Sequence, residues 1–275
     1  YGQLGDGSTT DRLTPTAVDL GVDMTAMSVG AGNLHSCAVL NDGSVNCWGD
    51  NDYGQLGDGS TTDRLTPTAV DVGAGMTAVS VSGGDLHSCA LLNDGSVKCW
   101  GSNGYGQVGD GTTTDRTSPT AVDVGAGMTV VSVSAGYRHS CALLNDGSVK
   151  CWGNNDYGQL GDDSTTDRLT PTAVDVGAGM TAVSISAGAY HSCAVLNDGS
   201  VNCWGDNNWG QLGDGSTTDR LTPTAVDVGT GMTAVSVSGN GGASCALLND
   251  GVVKCWGYNG NGMVGDNSTT DRHTP

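Results

Sequence analysis

The sequence predicts an all-β fold, a β-propeller of four-stranded antiparallel blades, and three observations carry that reading. The chain repeats every 52 residues without insertion or deletion: Tyr1 returns in register as Tyr53, Tyr105 and Tyr157, then as Trp209 and Asn261. Each unit holds four short, alternating apolar runs divided by turns rich in Gly, Asn and Asp, and no stretch keeps helical spacing long enough to compete. The composition is biased in the same way throughout, with 46 glycines, no phenylalanine and every one of 29 acidic residues an aspartate. Four strands recurring at a fixed period of about 50 residues are the mark of propeller blades.

The second unit shows the elements in order. Residues 54–64 form a long polar loop. Pro67 marks a strand start, where its missing N–H costs least, and strand a follows over 68–72. A turn at 71–75 leads to strand b, 77–82. A second turn, 83–86, precedes strand c, 87–92. Asn93-Asp94-Gly95 reverses the chain into strand d, 96–100. Grouping a to d as one blade gives five blades at about 13–51, 65–103, 117–155, 169–207 and 221–259, within a single array over 1–275 and a partial unit at 261–275. Both ends fall inside the repeat, which reads as a window on a longer array. The missing targeting segment therefore does not argue against secretion.

A blade alone exposes both faces, so neighbours must stack on it. Cys89, Leu91, Val97 and Cys99 fall on one side of strands c and d; Ala90, Leu92 and Trp100 fall on the other, with Lys98 the exception. Trp100 and its copies Trp48, Trp152, Trp204 and Trp256 read as packing between blades rather than as a functional set.

Ten cysteines occur two to a unit: Cys37 with Cys47, Cys89 with Cys99, Cys141 with Cys151, Cys193 with Cys203 and Cys245 with Cys255. A three-residue Asn-Asp-Gly loop with glycine left-handed pairs Leu40 with Ser44, and counting outward sets Cys37 opposite Cys47. Directly opposed cysteines suit a disulfide. The competing site is zinc, with His35, Cys37 and Cys47 as ligands. The fifth unit argues against it: Ala243 replaces the histidine while Cys245 and Cys255 remain. Five disulfides imply an oxidising compartment, whether extracellular, periplasmic or cell-surface. The histidines then read as structural, hydrogen-bonded at the start of strand c.

The formal charge of −19 excludes phosphate-backbone recognition and disfavours anionic membranes, and no apolar run is long enough to span a bilayer. It favours solubility and basic partner surfaces. Asp, His and Ser recur in every unit, so no single asymmetric constellation suggests an enzyme. No cofactor is expected. Calcium is the one ion that the oxygen-rich loop 57–63 could admit, although it lacks EF-hand spacing, and side chains capping their own backbone explain it as well.

The pattern running through Gly136, His139-Ser140, Ala142-Leu143, Asp146-Gly147, Val149, Trp152-Gly153, Asn155 and Gly158-Gln159-Leu160-Gly161 resembles the repeat of the regulator of chromosome condensation 1 family. The resemblance spans essentially the whole chain and implies a propeller, seven-bladed in known members. Five full units fall short of that ring, so further units, a smaller ring or self-association would have to complete it. Light sensing, known in a plant member, needs a tryptophan cluster, whereas Trp209 is the only tryptophan outside the blade position. A secreted bacterial inhibitor that works through its propeller face is the nearest analogue.

Comparing the copies locates the variation. The c–d turns are nearly constant, but the b–c turns carry Asn33-Leu34, Asp85-Leu86, Tyr137-Arg138, Ala189-Tyr190 and Gly241-Gly242. The d–a connections carry Tyr53, Tyr105, Tyr157 and Trp209. In an up-and-down blade these loops share one end, so Asn33, Leu34, Tyr53, Asp85, Leu86, Tyr105, Tyr137, Arg138, Tyr157, Tyr190 and Trp209 make a candidate partner face. The expected function is non-enzymatic recognition or scaffolding with a protein ligand. A multivalent glycan-binding lectin and a purely structural array are the alternatives.

Overall fold

The computed structural model describes residues 1–275, an all-β protein of 19 strands in five antiparallel sheets. The first sheet contains β1 (Ala26–Ala31), β2 (His35–Leu40), β3 (Val45–Gly49) and β4 (Arg64–Val70) in that order. The second has β5 (Ala78–Gly83), β6 (His87–Leu92), β7 (Val97–Gly101) and β8 (Arg116–Val122). The third has β9 (Val130–Ala135), β10 (His139–Leu144), β11 (Val149–Gly153) and β12 (Arg168–Val174). The fourth has β13 (Ala182–Ala187), β14 (His191–Leu196), β15 (Val201–Gly205) and β16 (Arg220–Val226). The fifth is β17 (Ala234–Asn240), β18 (Ala243–Leu248) and β19 (Val253–Gly257), where a bridge from Gly257 to Arg272 begins a fourth strand. No helix is long and apolar enough to cross a membrane.

This order corrects the grouping drawn from sequence. Strand a does not open its own unit's sheet. It closes the preceding one, with Cys47 opposite Thr68 and Val45 opposite Val70. The sheets therefore run about 26–70, 78–122, 130–174, 182–226 and 234–257, not 13–51, 65–103, 117–155, 169–207 and 221–259. The physical reason lies in the two connections. The long loop after strand d lets the backbone double back on β3, whereas the a–b turn leads across to the next sheet. Pro67 consequently sits inside β4 rather than at its start, and an outermost strand with an irregular register beside β3 tolerates it.

The c–d hairpin has the expected register. Gly43 takes φ 80°, the Leu40 N–H donates to the Ser44 carbonyl at 2.9 Å, and Val39, Ala38 and Cys37 face Val45, Asn46 and Cys47. The same register sets Cys141 opposite Cys151 and Cys193 opposite Cys203. All five pairs are disulfides, Cys37–Cys47, Cys89–Cys99, Cys141–Cys151, Cys193–Cys203 and Cys245–Cys255. No cysteine is free, so none is left to ligate zinc with His35 or its copies.

Sheet-on-sheet packing follows the two faces. Cys37, Val39, Val45 and Cys47 of the first sheet bury against Ala90, Leu92 and Trp100 of the second, with Leu56 wedged between them. The same set recurs at the next three junctions, where Cys151 and Cys203 take the place of Cys47 in the third and fourth sheets. Each tryptophan indole donates to a glutamine carbonyl, as Trp100 does to Gln55 at 2.9 Å, so the tryptophans are fixed by packing. Lys98 escapes its apolar face by donating to the Val72 carbonyl at 2.8 Å. The outer faces of the terminal sheets stay open: Val29 is 73% and Val253 60% exposed, whereas Val81 and Val97, their counterparts in the second sheet, are buried.

Candidate functional site

Strand b is innermost in every sheet, so β1, β5, β9, β13 and β17 approach one another around a common axis. The b–c turns gather at one end of it around a cavity of about 720 Å³ lined by Gly32, Asn33, Gly84, Asp85, Gly136, Tyr137, Gly188, Tyr190 and Asn240, among others. The turns are laced together by backbone. The amides of Asn33, Asp85, Tyr137 and Ala189 each donate to the glycine carbonyl of the next turn, Gly84, Gly136, Gly188 and Gly241, at 3.2–3.3 Å.

Beneath each of the first four turns lies a histidine strap. The Ser88 hydroxyl donates to the Gln55 carbonyl, so it can only accept from His35, whose Nε2 lies 2.8 Å away. His87–Ser140, His139–Ser192 and His191–Ser244 repeat the arrangement. That fixes the Nε2–H tautomer and leaves every Nδ1 buried without a partner. Burial holds these rings neutral, pushing His35 and His191 down to about 4 and His87 and His139 to about 3. The rings also dictate glycine: a Cβ on Gly84 would run into His87 Cε1 and the Gly136 carbonyl oxygen. In the fifth unit Ala243 removes the ring, and Asn240 stands where the other four units keep Gly32, Gly84, Gly136 and Gly188. The two changes explain each other. The histidines are thus structural, as expected, and they set the height of the turns.

The structure brings most of the expected face residues together. Tyr190 packs against Tyr137 and Tyr157, ring centroids 5.3 Å apart in both pairs and planes tilted by 57° and 55°. The Arg138 guanidinium carbon lies 4.9 Å from the Tyr105 ring centroid and 5.2 Å from that of Tyr137, and its Nη1 donates to the Tyr105 hydroxyl at 2.9 Å. Asn33 donates to Asp85 at 2.9 Å. Burial pushes the Asp85 carboxyl up, offset by Asn33, the Tyr137 hydroxyl and the Arg138 charge. Burial likewise raises the Tyr190 phenol.

Other face residues lie apart from this cluster. Leu34 and Leu86 are half-buried and serve through their carbonyls, which accept from the Asp50 and Ser102 amides. Tyr53 is 43% exposed and joins no aromatic pair. Trp209 stacks edge-on with Tyr258 at 5.5 Å, forming a second aromatic patch. Tyr258, packed on Trp209, and the cavity-lining Asn240 join the candidate face although the comparison of the copies passes over them. Their signal is present, since each replaces a small or polar residue at a position where the other units carry none of its kind.

The loop considered for calcium is filled by protein. The Asn51 amide nitrogen donates to Asp58 Oδ1, the Ser60 carbonyl and hydroxyl, and the Thr62 carbonyl at 3.1–3.3 Å. Arg64 holds the second oxygen of Asp58 at 2.6 Å. The convergent oxygens thus have donors within the loop, and the same network recurs around Asn103, Asn155, Asn207 and Asn259.

Residues 1–275 match the RCC1-like domain over their whole length. The chain belongs to that family. This RCC1-like domain is 33% identical to the ultraviolet-B receptor UVR8 of Arabidopsis thaliana, over all of this chain and 62% of the receptor, so it spans under two thirds of that relative. Human WBSCR16 superposes with a TM-score of 0.84 at 24% identity, over 93% of this chain and 68% of that one. Yeast RCC1 (Prp20), in its complex with Kap60, superposes at 0.59 with 20% identity over 90% and 73% of the two chains. Both likenesses concern the fold. These relatives come from a plant, human and yeast.

Proposed function

We propose that this RCC1-like domain is a non-enzymatic recognition module that grips a protein partner at the axial mouth ringed by its b–c turns. The observation carrying the reading is the convergence of Tyr137, Arg138 and Tyr157 of the third sheet with Tyr105 of the second and Tyr190 of the fourth. Tyrosine and arginine are enriched in binding hot spots, tyrosine as a large, rigid surface of low entropic cost and arginine as a planar fork of donors. Binding of a protein by a family member is also the subject of the Kap60–RCC1 structure.

One asymmetric cluster, rather than five equivalent aromatic loops, favours a single protein ligand over a multivalent glycan lectin. The five disulfides support an extracellular, periplasmic or cell-surface setting. The open faces at Val29 and Val253 are where further units or another copy would pack.

The test is selection from a random-peptide phage library on the immobilised protein. Clones should lose binding when Tyr137, Arg138 and Tyr190 are together replaced by alanine and keep it when Lys98 at the opposite end is replaced. Clones indifferent to the triple replacement would sink the proposal.

A further inference from the structure

The protein has seven arginines. Six repeat one arrangement: Arg12, Arg64, Arg116, Arg168, Arg220 and Arg272 each hold an aspartate six residues upstream, at 2.5–2.7 Å. Their charge is spent inside the loop. Arg138 is the seventh, and it pairs with no carboxylate in a protein that carries 29 of them. Two tyrosine rings flank its guanidinium instead, and of its five N–H donors one is used, by the Tyr105 hydroxyl. The Asp85 carboxylate nearby already has the Asn33 amide as donor. The positions equivalent to Arg138 are Leu34, Leu86, Tyr190 and Gly242, so the feature occurs once.

We propose that Arg138 is the anion anchor of the mouth and receives a carboxylate of the partner polypeptide, on an acidic side chain or at the partner's C-terminus. This rests on the mouth being the recognition site. A planar guanidinium offers two parallel N–H donors to a carboxylate, and rings beside it lower its exposure to water without consuming those donors. Tyr105 and Tyr137 fix its plane before any ligand arrives, so little side-chain entropy is lost on binding. Tyr190, packed against Tyr137, extends the apolar shelf on which the residues flanking that carboxylate would lie. A protein of net charge −19 repels a broadly acidic partner at long range. The anchor therefore selects a lone acidic group set in a neutral or basic segment.

Two measurements on the whole 275-residue chain decide it. In the first, arginine side-chain NMR on ¹⁵N-labelled protein follows titration with N-acetyl-aspartic acid amide, N-acetyl-glycine and the neutral N-acetyl-asparagine amide. The Arg138 Nε–Hε resonance, assigned through Arg138→Lys, should shift saturably with at least one carboxylate while the six aspartate-paired arginines stay still. The side-chain probe against the C-terminal probe separates the two sources. No shift, or an equal shift with the neutral amide, overturns the proposal.

In the second, mouth-dependent phage peptides should carry an acidic residue. Arg138→Ala and the peptide's Asp→Asn change should each weaken binding by about tenfold and together by little more. Peptides that need Tyr137 and Tyr190 but tolerate Arg138→Ala would leave the mouth reading standing and overturn the anchor. Peptides indifferent to the tyrosines would overturn the mouth reading, with the titration still deciding Arg138.

Discussion

The four buried histidines make this fold acid-sensitive, beginning as pH falls through the range of a free imidazole. Each ring is neutral when folded, pushed down to about 4 for His35 and His191 and about 3 for His87 and His139, against 6.5 in an unfolded chain. The unfolded state therefore binds more protons than the folded state between those values. The stabilisation is full above pH 6.5 and is lost as pH falls toward 4. At pH 5 each histidine should have cost about 2 kcal/mol relative to pH 8, roughly 8 kcal/mol for the four. In a protein of this size that lowers Tm by roughly 15–30 °C.

Circular dichroism melts at pH 8, 6.5 and 5, with disulfides intact, measure the loss. His139→Ala provides the internal check. It lowers stability at pH 8 through the lost Ser192 bond and the vacated ring volume, but it should flatten the pH dependence by about a quarter. The fifth unit, with Ala243, already lives without its ring. A Tm that is flat from pH 8 to 5, or a slope unchanged by His139→Ala, would refute the tautomer and burial argument together.

Gly136→Ala should destabilise by about 3 kcal/mol, since its Cβ would sit 2.5 Å from both the Gly188 carbonyl oxygen and His139 Cε1; adding His139→Ala should recover part of that loss in denaturant titrations. Asp50→Asn should stabilise by about 1 kcal/mol, more at pH 8 than at pH 4. Asp50, Asp52 and Asp63 crowd within 4.8 Å, whereas Asn154 in the third unit donates to both Asp156 and Asp167. Replacing Cys89 and Cys99 together by alanine should cost about 2–3 kcal/mol, the entropy of closing so short a loop, and should leave the other four pairs protected from alkylation without reductant.

The parts legible in the sequence are those decided by local chemistry. Asn41-Asp42-Gly43 dictates a turn, the turn dictates the register, and the register places Cys37 against Cys47. Because the turn recurs, so does the pairing, down to Cys141 with Cys151 and Cys193 with Cys203. Face alternation then predicts which side chains meet between sheets, and the buried clusters contain those residues. Blade composition is not legible in the same way. The a–b segment at 71–77 looks like a hairpin turn, and only the partner chosen by Thr68, Cys47 rather than a residue of β5, shows that it is a crossover. Loop polarity is indifferent to that error, because an antiparallel meander alternates direction wherever the blade is said to begin. Contacts between blades, such as Trp209 with Tyr258, join residues almost one repeat apart and leave no periodic trace.

A nearly perfect repeat has to break its symmetry to make one site, and the backbone shows where it can do so cheaply. In strands c and d of the inner sheets the apolar side chains are wedged between two sheets, so a change there is felt in packing at a junction. At the b–c tips the position is set by backbone alone: the amides of Asn33, Asp85, Tyr137 and Ala189 reach the next glycine carbonyl, and the histidine strap supports them from below. None of those bonds uses the tip side chain. The tips are therefore fixed in place yet free in identity, and neighbouring turns could acquire Tyr137, Arg138 and Tyr190 without disturbing the junctions beneath. The glycines at the base of the first four turns are the cost of that freedom, since the ring that holds the tip occupies the space a Cβ would need.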